Sequence, residues 1–388
     1  LENPRHAMPA WINLLPGVNM PETIVIRSGV AGTKTVSEAG ELTISLPFNY
    51  DYDTFPSEIG LFFTASFAQV APFGTVSWLT PDGREIRLRE GRLGTERFVV
   101  SGDARLRSRL RASPEIGLFS APSTDAAATP QLQRGNYELR IVGHLFEADS
   151  DLDVTMVVYG RVHGLAGTDH MRRDLAVALL WGTPIALIFG LAAAVVIAGT
   201  QFTLGAISAY YGGKTDGTVQ FFTRVNMVVP FLPILMMVAI FWSRSIWAIL
   251  AVVIAVSLMG GGVLLYRSMF LQAKEAPYIE AARAYGAKNR RVVFRYLMPR
   301  VLPVLIPGFV TAIPSFVFLE ATLAILGLGD PSLPTWGKVL ADSGMGALLH
   351  GHYYWVLQPA ILLMFTGFAF ALVGFALDRI FNPRLRSL

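Results

Sequence analysis

The residues whose types and spacing could do chemistry fall in four places. The first is segment 278–303, "YIEAARAYGAKNRRVVFRYLMPRVLP", a basic stretch between two long apolar runs. Pro277 suits a first helical turn. Ala281, Ala282 and Ala284 are strong helix formers with almost no side chain, so a second surface can come close. Glu280 lies near the helix start, where negative charge is favoured, and Arg283 stands at i+3 from it. Gly286 supplies a left-handed stop, a second helix runs through "RRVVFRYLM", and Pro299 marks the turn into the next run. The product is a helix–turn–helix elbow shaped for docking.

The second place is Glu320, the one acid inside a long apolar run. An acid in hydrocarbon is costly and commonly functional. It would line a path or pair with a polar group such as Asn226 or Arg224; the plainer reading is a structural interhelical hydrogen bond. Third, residues 105–111 alternate Arg with Leu or Ser. A strand would put four Arg on one face, either a cationic patch for lipid headgroups or a partner, or a solvated edge-strand face. Fourth, Glu147 to Asp153 clusters four acids. Hard oxygens suit calcium, but the segment lacks the glycine of a helix–loop–helix calcium loop and sits between two strands, so it reads as an acidic hairpin turn. No nucleophile–base pair and no phosphate-cradling glycine loop occurs. His6, His144, His163 and His170 share no metal-like spacing, and a chain without cysteine forms neither disulfides nor thiolate metal sites. No catalytic or metal residue is assigned.

The elements that must hold these residues are set by composition. Of 388 residues, 53% are hydrophobic and 15% charged, with a mean hydropathy of +0.47, too apolar for an average soluble domain. A membrane-crossing helix needs roughly 20 apolar residues. Five runs qualify: 175–213 (the span itself near 184–210), 225–243, 245–266, 301–329 and 343–377 (starting near Tyr354). Pro230, Pro233, Pro307 and Pro314 interrupt the second and fourth, as hinges or tolerated kinks. Residues 1–174 hold 17 Lys and Arg against 21 Asp and Glu, whereas 175–388 hold 15 against 7. The basic residues flank apolar spans, which argues against nucleic acid. Lys214, the eight cations of 267–300, and Arg379, Arg384 and Arg386 fall on one side; Arg244 and Lys338 fall on the other. Cations in short loops mark the cytoplasmic face, so residues 1–174 are expected to be extracytoplasmic and the C-terminus cytoplasmic.

Residues 21–160 read as an all-β, sandwich-like domain. "ELTISLPF", "GLFFTASF", "TVSWL", "RFVVSG", "NYELRIVGHLF" and "DVTMVVYGRV" are β-branched and aromatic, with turn signals such as "TPDGRE" between them.

The order Glu280-Ala281-Ala282, Gly286, Pro299 resembles the Glu-Ala-Ala signature of ABC importer permease subunits, with Tyr296 and Met298 where an aliphatic residue and Leu are usual. "GTDHMRRDL" resembles a signature of the dipeptide/oligopeptide/nickel branch through Gly167, Thr168, Asp169, Arg173 and Asp174, with Arg172 where Gly is usual. "AYYGGKTDGTVQFFTRV", "EATLAILGLGDPSLPTWGKVL" and "DRIFNPRLR" resemble later motifs of the same branch, so the resemblance covers about residues 161–388.

The resemblance implies an α-helical polytopic membrane protein with a type I permease core. Five spans are visible and a sixth is expected upstream of Leu1, since the first residue is not Met. Residues 1–20 become an outer linker, 21–160 an inserted β-domain, and 161–388 the permease domain with its coupling elbow at 274–300. Glu280, Ala281, Ala282, Arg283, Gly286 and Pro299 would couple to two cytoplasmic ABC ATPases. Those partners would hold ATP and Mg, because this chain has no ATP-binding motif, carries no cofactor and is not an enzyme. A second permease subunit, an extracytoplasmic solute-binding protein and membrane lipid complete the expected partners. Glu320, Asn226 and Pro230 are the candidate translocation-path residues. Peptides, nickel chelates and other small solutes share this branch, in plasma (inner) membranes. The competing reading is a membrane-anchored sensor or solute-binding protein whose β-domain is the functional part.

Overall fold

The computed structural model describes residues 2–29, 33–122, 129–147 and 149–381. The chain divides into two compact units, Leu1–Ala176 and Val177–Leu388.

The first unit holds nine strands: β1 (Ile24–Arg27), β2 (Lys34–Val36), β3 (Glu41–Tyr50), β4 (Glu58–Ser66), β5 (Phe73–Leu79), β6 (Glu85–Arg92), β7 (Glu96–Val99), β8 (Gly135–His144) and β9 (Asp151–Tyr159). They form two antiparallel sheets, β1-β9-β4-β7 and β2-β3-β8-β5-β6. Period-two burial makes the sandwich: Leu42, Ile44, Leu46, Phe48 and Tyr50 alternate inward along β3 and meet Leu61, Phe63, Val154 and Met156 of the other sheet in one core. Phe48, Tyr50, Trp78, Phe119 and Tyr137 cluster at its centre, Phe119 and Tyr137 with ring centroids 4.7 Å apart. Five of the six strand-like segments named above fall mainly in strands, whereas "RFVVSG" is strand only to Val99 and turns into a 3-10 helix at Val100–Gly102. β1, β2 and β6 were not anticipated, β6 because "EIRLREGR" carries the charges of an edge strand.

Two expectations for this unit are corrected. Residues 105–111 do not form a strand. Asp103 caps a helix, α1 (Ala104–Leu110), by accepting from the Leu106 amide at 2.8 Å. Leu106 and Leu110 at i and i+4 then turn into the core, which spreads the arginines instead of aligning them. A second short helix, α2 (Pro114–Gly117), follows. The acidic segment 147–153 is not a hairpin turn, because β8 and β9, which it joins, lie in different sheets, and Glu147, Asp151 and Asp153 are occupied by the domain itself. Glu147 accepts the backbone N–H groups of Ala68, Gln69 and Val70 at 2.6–2.8 Å. Asp151 and Asp153 both pair with Lys34, at 2.5 and 3.0 Å.

The second unit is helical. α3 (Leu175–Tyr211) is followed by α4 (Gly213–Val228), α5 (Phe231–Phe241), α6 (Ile246–Ser257), α7 (Gly262–Lys274), α8 (Pro277–Ala284), α9 (Asn289–Arg291), α10 (Met298–Ile325), α11 (Trp336–Leu349) and α12 (Tyr353–Phe381). Three continuous helical stretches, 175–211, 289–325 and 353–381, are long and apolar enough to cross a membrane, and five do if each bent pair counts as one span. The prolines act unequally. α4 and α5 meet at 72° where Val229 and Pro230 leave the helix, whereas α10 runs unbroken through Pro303, Pro307 and Pro314. The third span, which has no proline, bends 45° between α6 and α7, beside Gly260, Gly261 and Gly262. The stretch from Lys214 to Arg224, expected as a connection, is helical. Arg384 and Arg386 lie outside the described residues.

The three amides on Glu147 hold its carboxyl below its ordinary value near 4.5. The stabilisation is therefore present above pH 4.5 and lost as the pH falls through the lowered value. Glu147→Gln should speed hydrogen exchange at Ala68, Gln69 and Val70 at neutral pH, and the unmodified protein should show the same increase only in acid.

Candidate functional site

The elbow is built as a rigid bracket. Ile279 of α8 and Val292, Val293 and Leu297 are fully buried against Phe202, Ala206 and Tyr210 of α3 and Phe270 of α7. Gly286 ends α8 at φ +78°, and a Cβ there would meet nothing within 4 Å. The glycine is therefore needed for backbone conformation, not for packing within this chain. Arg283 does not pair with Glu280. Its guanidinium lies 5.0 Å from the Tyr210 ring centroid, and the Tyr210 hydroxyl donates to Asn289 at 2.9 Å. Glu280 and Ala281 are exposed on the side away from Ile279, and Arg283 and Gly286 are exposed beside them. A groove of about 460 Å³ opens there between Ala282, Tyr285, Arg291 and Tyr296. Pro299 does not mark a turn: the chain passes from α9 through a π-helical stretch, Val292–Leu297, into α10 as one helix. The widened turn accommodates a proline that would clash in a regular α-helix interior.

A clamp that the sequence reading missed ties this bracket to its neighbours. Asp216 at the start of α4 takes both Nε and Nη2 of Arg267 on α7 at 2.6 Å. It also accepts from Ser208 on α3 at 2.5 Å and from Gln220 at 2.7 Å. Four donors on one carboxylate lock three helices together. The only sequence signal was an acid in a helix's first turn, in a stretch where the rest of the chain is basic.

A cavity of about 450 Å³ lies where both broken spans interrupt. Val229 and Phe231, which flank Pro230, line it, as do Asn226, Gln201, Ser257, Gly260 and Gly261. The Asn226 amide donates to the Val256 carbonyl and the Gln201 amide to the Ser257 carbonyl, both at 2.7 Å. These are carbonyls in the last turn of α6, and Ser257 O also accepts the Gly260 N–H at 3.1 Å. A Cβ on Gly262 would come within 1.9 Å of the Gln201 Oε1, so any larger residue there would make the Gln201 side chain swing aside. Glu320 lies elsewhere. It is buried at 5% exposure, and among the described residues its partner is the Thr335 hydroxyl, while Arg224 bonds Gln220. Thr335 caps α11, and Gly337 lets that helix close on Ala321 of α10. The Trp336 indole donates to the Leu179 carbonyl at 2.9 Å.

Gly167, Thr168, Asp169, Arg173 and Asp174 form a knot at the end of the first unit. Asp169 accepts the amides of Met171 and Arg173 at 2.8 Å and the Arg173 Nε at 2.5 Å. Thr168 donates to Pro4 O, and Asp174 caps the first turn of α3 at Ala176. Arg172, where the resembled motif has Gly, adopts φ +65°. The turn keeps its glycine conformation, at a cost of about 1–2 kcal/mol for a side-chain-bearing residue. The buried guanidinium bonds Glu58 of β4 at 2.6 Å and Asn3 O at 2.7 Å, and lies 4.2 Å from the Tyr159 ring centroid.

Broken apolar spans around a polar cavity, with a rigid elbow at one end of the bundle, define a polytopic membrane permease. The family described as "Binding-protein-dependent transport system inner membrane component" matches residues 201–387. The oligopeptide transport system permease protein of Bacillus subtilis is 31% identical over 225 residues, 57% of this chain and 72% of that protein. The dipeptide transport system permease protein of the same organism is 28% identical over 223 residues, covering 57% and 68%. The glutathione transport system permease protein of Pectobacterium atrosepticum is 30% identical, covering 57% and 73%. A chain of the inward-facing MetNI methionine ABC transporter aligns with a TM-score of 0.41 at 20% identity, over 52% of this chain and 96% of that one. The chain belongs to the inner-membrane permeases of binding-protein-dependent ABC importers, in the family that includes the peptide permeases.

Arg172→Gly tests the clamp in the first unit. It relieves about 1–2 kcal/mol of backbone cost but removes a buried ion-pair partner, a change of about 3–5 kcal/mol. Glu58 keeps a longer contact to Arg97, at 3.5 Å, so the net loss should fall on the order of 2 kcal/mol. Thermal unfolding of the purified protein should show it, and adding Glu58→Gln should recover part of the loss.

Proposed function

We propose that this chain forms half of the translocation path of an ATP-driven importer for peptides or a similar small solute, and that segment 274–300 is its coupling elbow. The observation that carries the reading is the two-sided elbow. Its inner face is locked against α3 and α7. Its outer face offers Glu280, small residues, the space above Gly286 and a groove, with no partner among the described residues filling them. Two cytoplasmic ABC ATPases, which hold ATP and Mg, would grip that face through Glu280, Ala281, Ala282, Arg283 and Gly286. Because α9, the π-helical stretch and α10 form one helix, a push at the elbow would tilt α10 as a lever, and the Asp216–Arg267 clamp would carry α4 and α7 with it.

The path is assigned to the cavity at the two breaks, with Asn226 in its wall and Pro230 at one break. Glu320, outside that cavity, acts as a positioning residue that holds α11 on α10. A second permease subunit closes the other side of the path, and an extracytoplasmic solute-binding protein delivers the cargo. The relatives named for oligopeptide and dipeptide transport favour peptide cargo. Orientation follows the cationic asymmetry: residues 1–174 outside, the C-terminus in the cytoplasm.

Gly286→Leu forces a branched side chain into the left-handed conformation and fills the docking space. Solute uptake by the assembled importer should collapse while membrane insertion and expression stay normal; undiminished uptake would exclude the coupling role. Orientation has its own test. Protease added to intact cells with a permeabilised outer envelope should cleave within residues 1–174 and spare a tag placed after Leu388, and the reverse pattern would invert the topology.

A further inference from the structure

We propose that the end of the first unit nearest the first span is a membrane-surface anchor, in which Trp11, Leu14, Leu15, Leu165 and Met171 enter the headgroup–acyl boundary of the bilayer. All five side chains are exposed, Leu14 at 84% and Leu165 at 77%. They belong to one structure. The 3-10 turn Ala10–Leu14 lies along 164–165, with the Ala10 amide on Gly164 O at 2.8 Å and the Trp11 indole on Leu165 O at 3.1 Å. Asn13 pins the exit of that turn through two bonds to Met20, each of 2.9 Å. The apolar groups are thus held out by a rigid scaffold. The Trp11 polar edge is already satisfied by protein, which leaves the ring free for an apolar environment.

Lipid is the occupant because of where this end is tied. The Leu175 amide donates to Gly167 O at 3.0 Å, and Asp174 caps the helix that becomes the first span. Met171 stands four residues before the first residue of that helix, and four residues reach at most about 14 Å. Trp and Leu that close to the start of the helix carrying the first span are side chains that settle at a membrane interface, roughly 5–10 Å into the headgroup boundary. Arg5, exposed on the neighbouring segment, suits lipid phosphates. The unit has a second exposed apolar group, Phe67, Val70 and Phe146, at the opposite end. Glu58 at the start of β4 bonds Arg172, and the eight steps to Ser66 carry the chain roughly 26 Å away. The same chemistry therefore occurs at both ends, and only one end is tethered to the bilayer.

The absence of cysteine from the sequence makes the test direct. Leu14→Cys, Leu165→Cys and Phe67→Cys each give one site for an environment-sensitive fluorophore on the full chain, reconstituted in phosphatidylethanolamine–phosphatidylglycerol vesicles. At Leu14 and Leu165, lipid spin-labelled near the headgroup should quench several-fold more than aqueous iodide. At Phe67 the order should reverse, which also reports that the unit is folded. Iodide quenching at Leu14 and Leu165 equal to that at Phe67 would place the patch in water and overturn the proposal. Protection from both quenchers would show that protein covers it and would overturn it equally. The readout needs neither ATP nor solute, so it stands or falls separately from the transport reading.

Discussion

Inside hydrocarbon no water is available to a peptide group, so every amide and carbonyl that leaves a helix there must find a partner within the protein. The permease unit depends on meeting that constraint at two breaks. Carbonyls released at the end of α6 are taken by Asn226 and Gln201, side chains from two other helices. Each amide therefore does two jobs: it satisfies a break and it presents a polar wall to the cavity formed there.

The same logic explains how stiffness is distributed. Around the cavity the contacts are single neutral hydrogen bonds, each worth about 1 kcal/mol net. At the elbow end the contacts are a fully buried apolar knot and a carboxylate with four donors. The elbow end is thus fastened by charged hydrogen bonds that the wall of the break lacks. The continuous helix from Asn289 to Ile325 supplies the connection.

The β-domain is joined to the signature turn of the permease by more than its two peptide links. Arg172 keeps a backbone conformation that glycine would adopt freely and uses its side chain to bind β4, the residue before Pro4 and the Tyr159 ring. The residue at this glycine position and the β-domain are thus tied to each other. An arginine there has a use only because Glu58 and Tyr159 stand opposite it.

Much of this was legible from residue order. Composition and run length determined a polytopic membrane protein, alternating β-branched segments determined a β-domain, and the Glu280 to Pro299 spacing determined an elbow with a left-handed stop at Gly286. These are local properties, set by side-chain type and period. Tertiary structure alone decided the rest. Residues 105–111 alternate like a strand, but the Asp103 cap and a core that receives Leu106 and Leu110 made them a helix. Pro299 reads as a stop, but a π-helical stretch carried the helix through it. Pro307 and Pro314 were accommodated, while the third span broke without a proline, beside three glycines, where the Gly260 amide and Gln201 both reach the Ser257 carbonyl. Asp216 and Arg267 stand 51 residues apart, and Glu58 and Arg172 stand 114 apart. No periodicity connects such pairs. Their chemistry is visible in sequence as isolated charges, and only the packing of distant elements determines which charges meet.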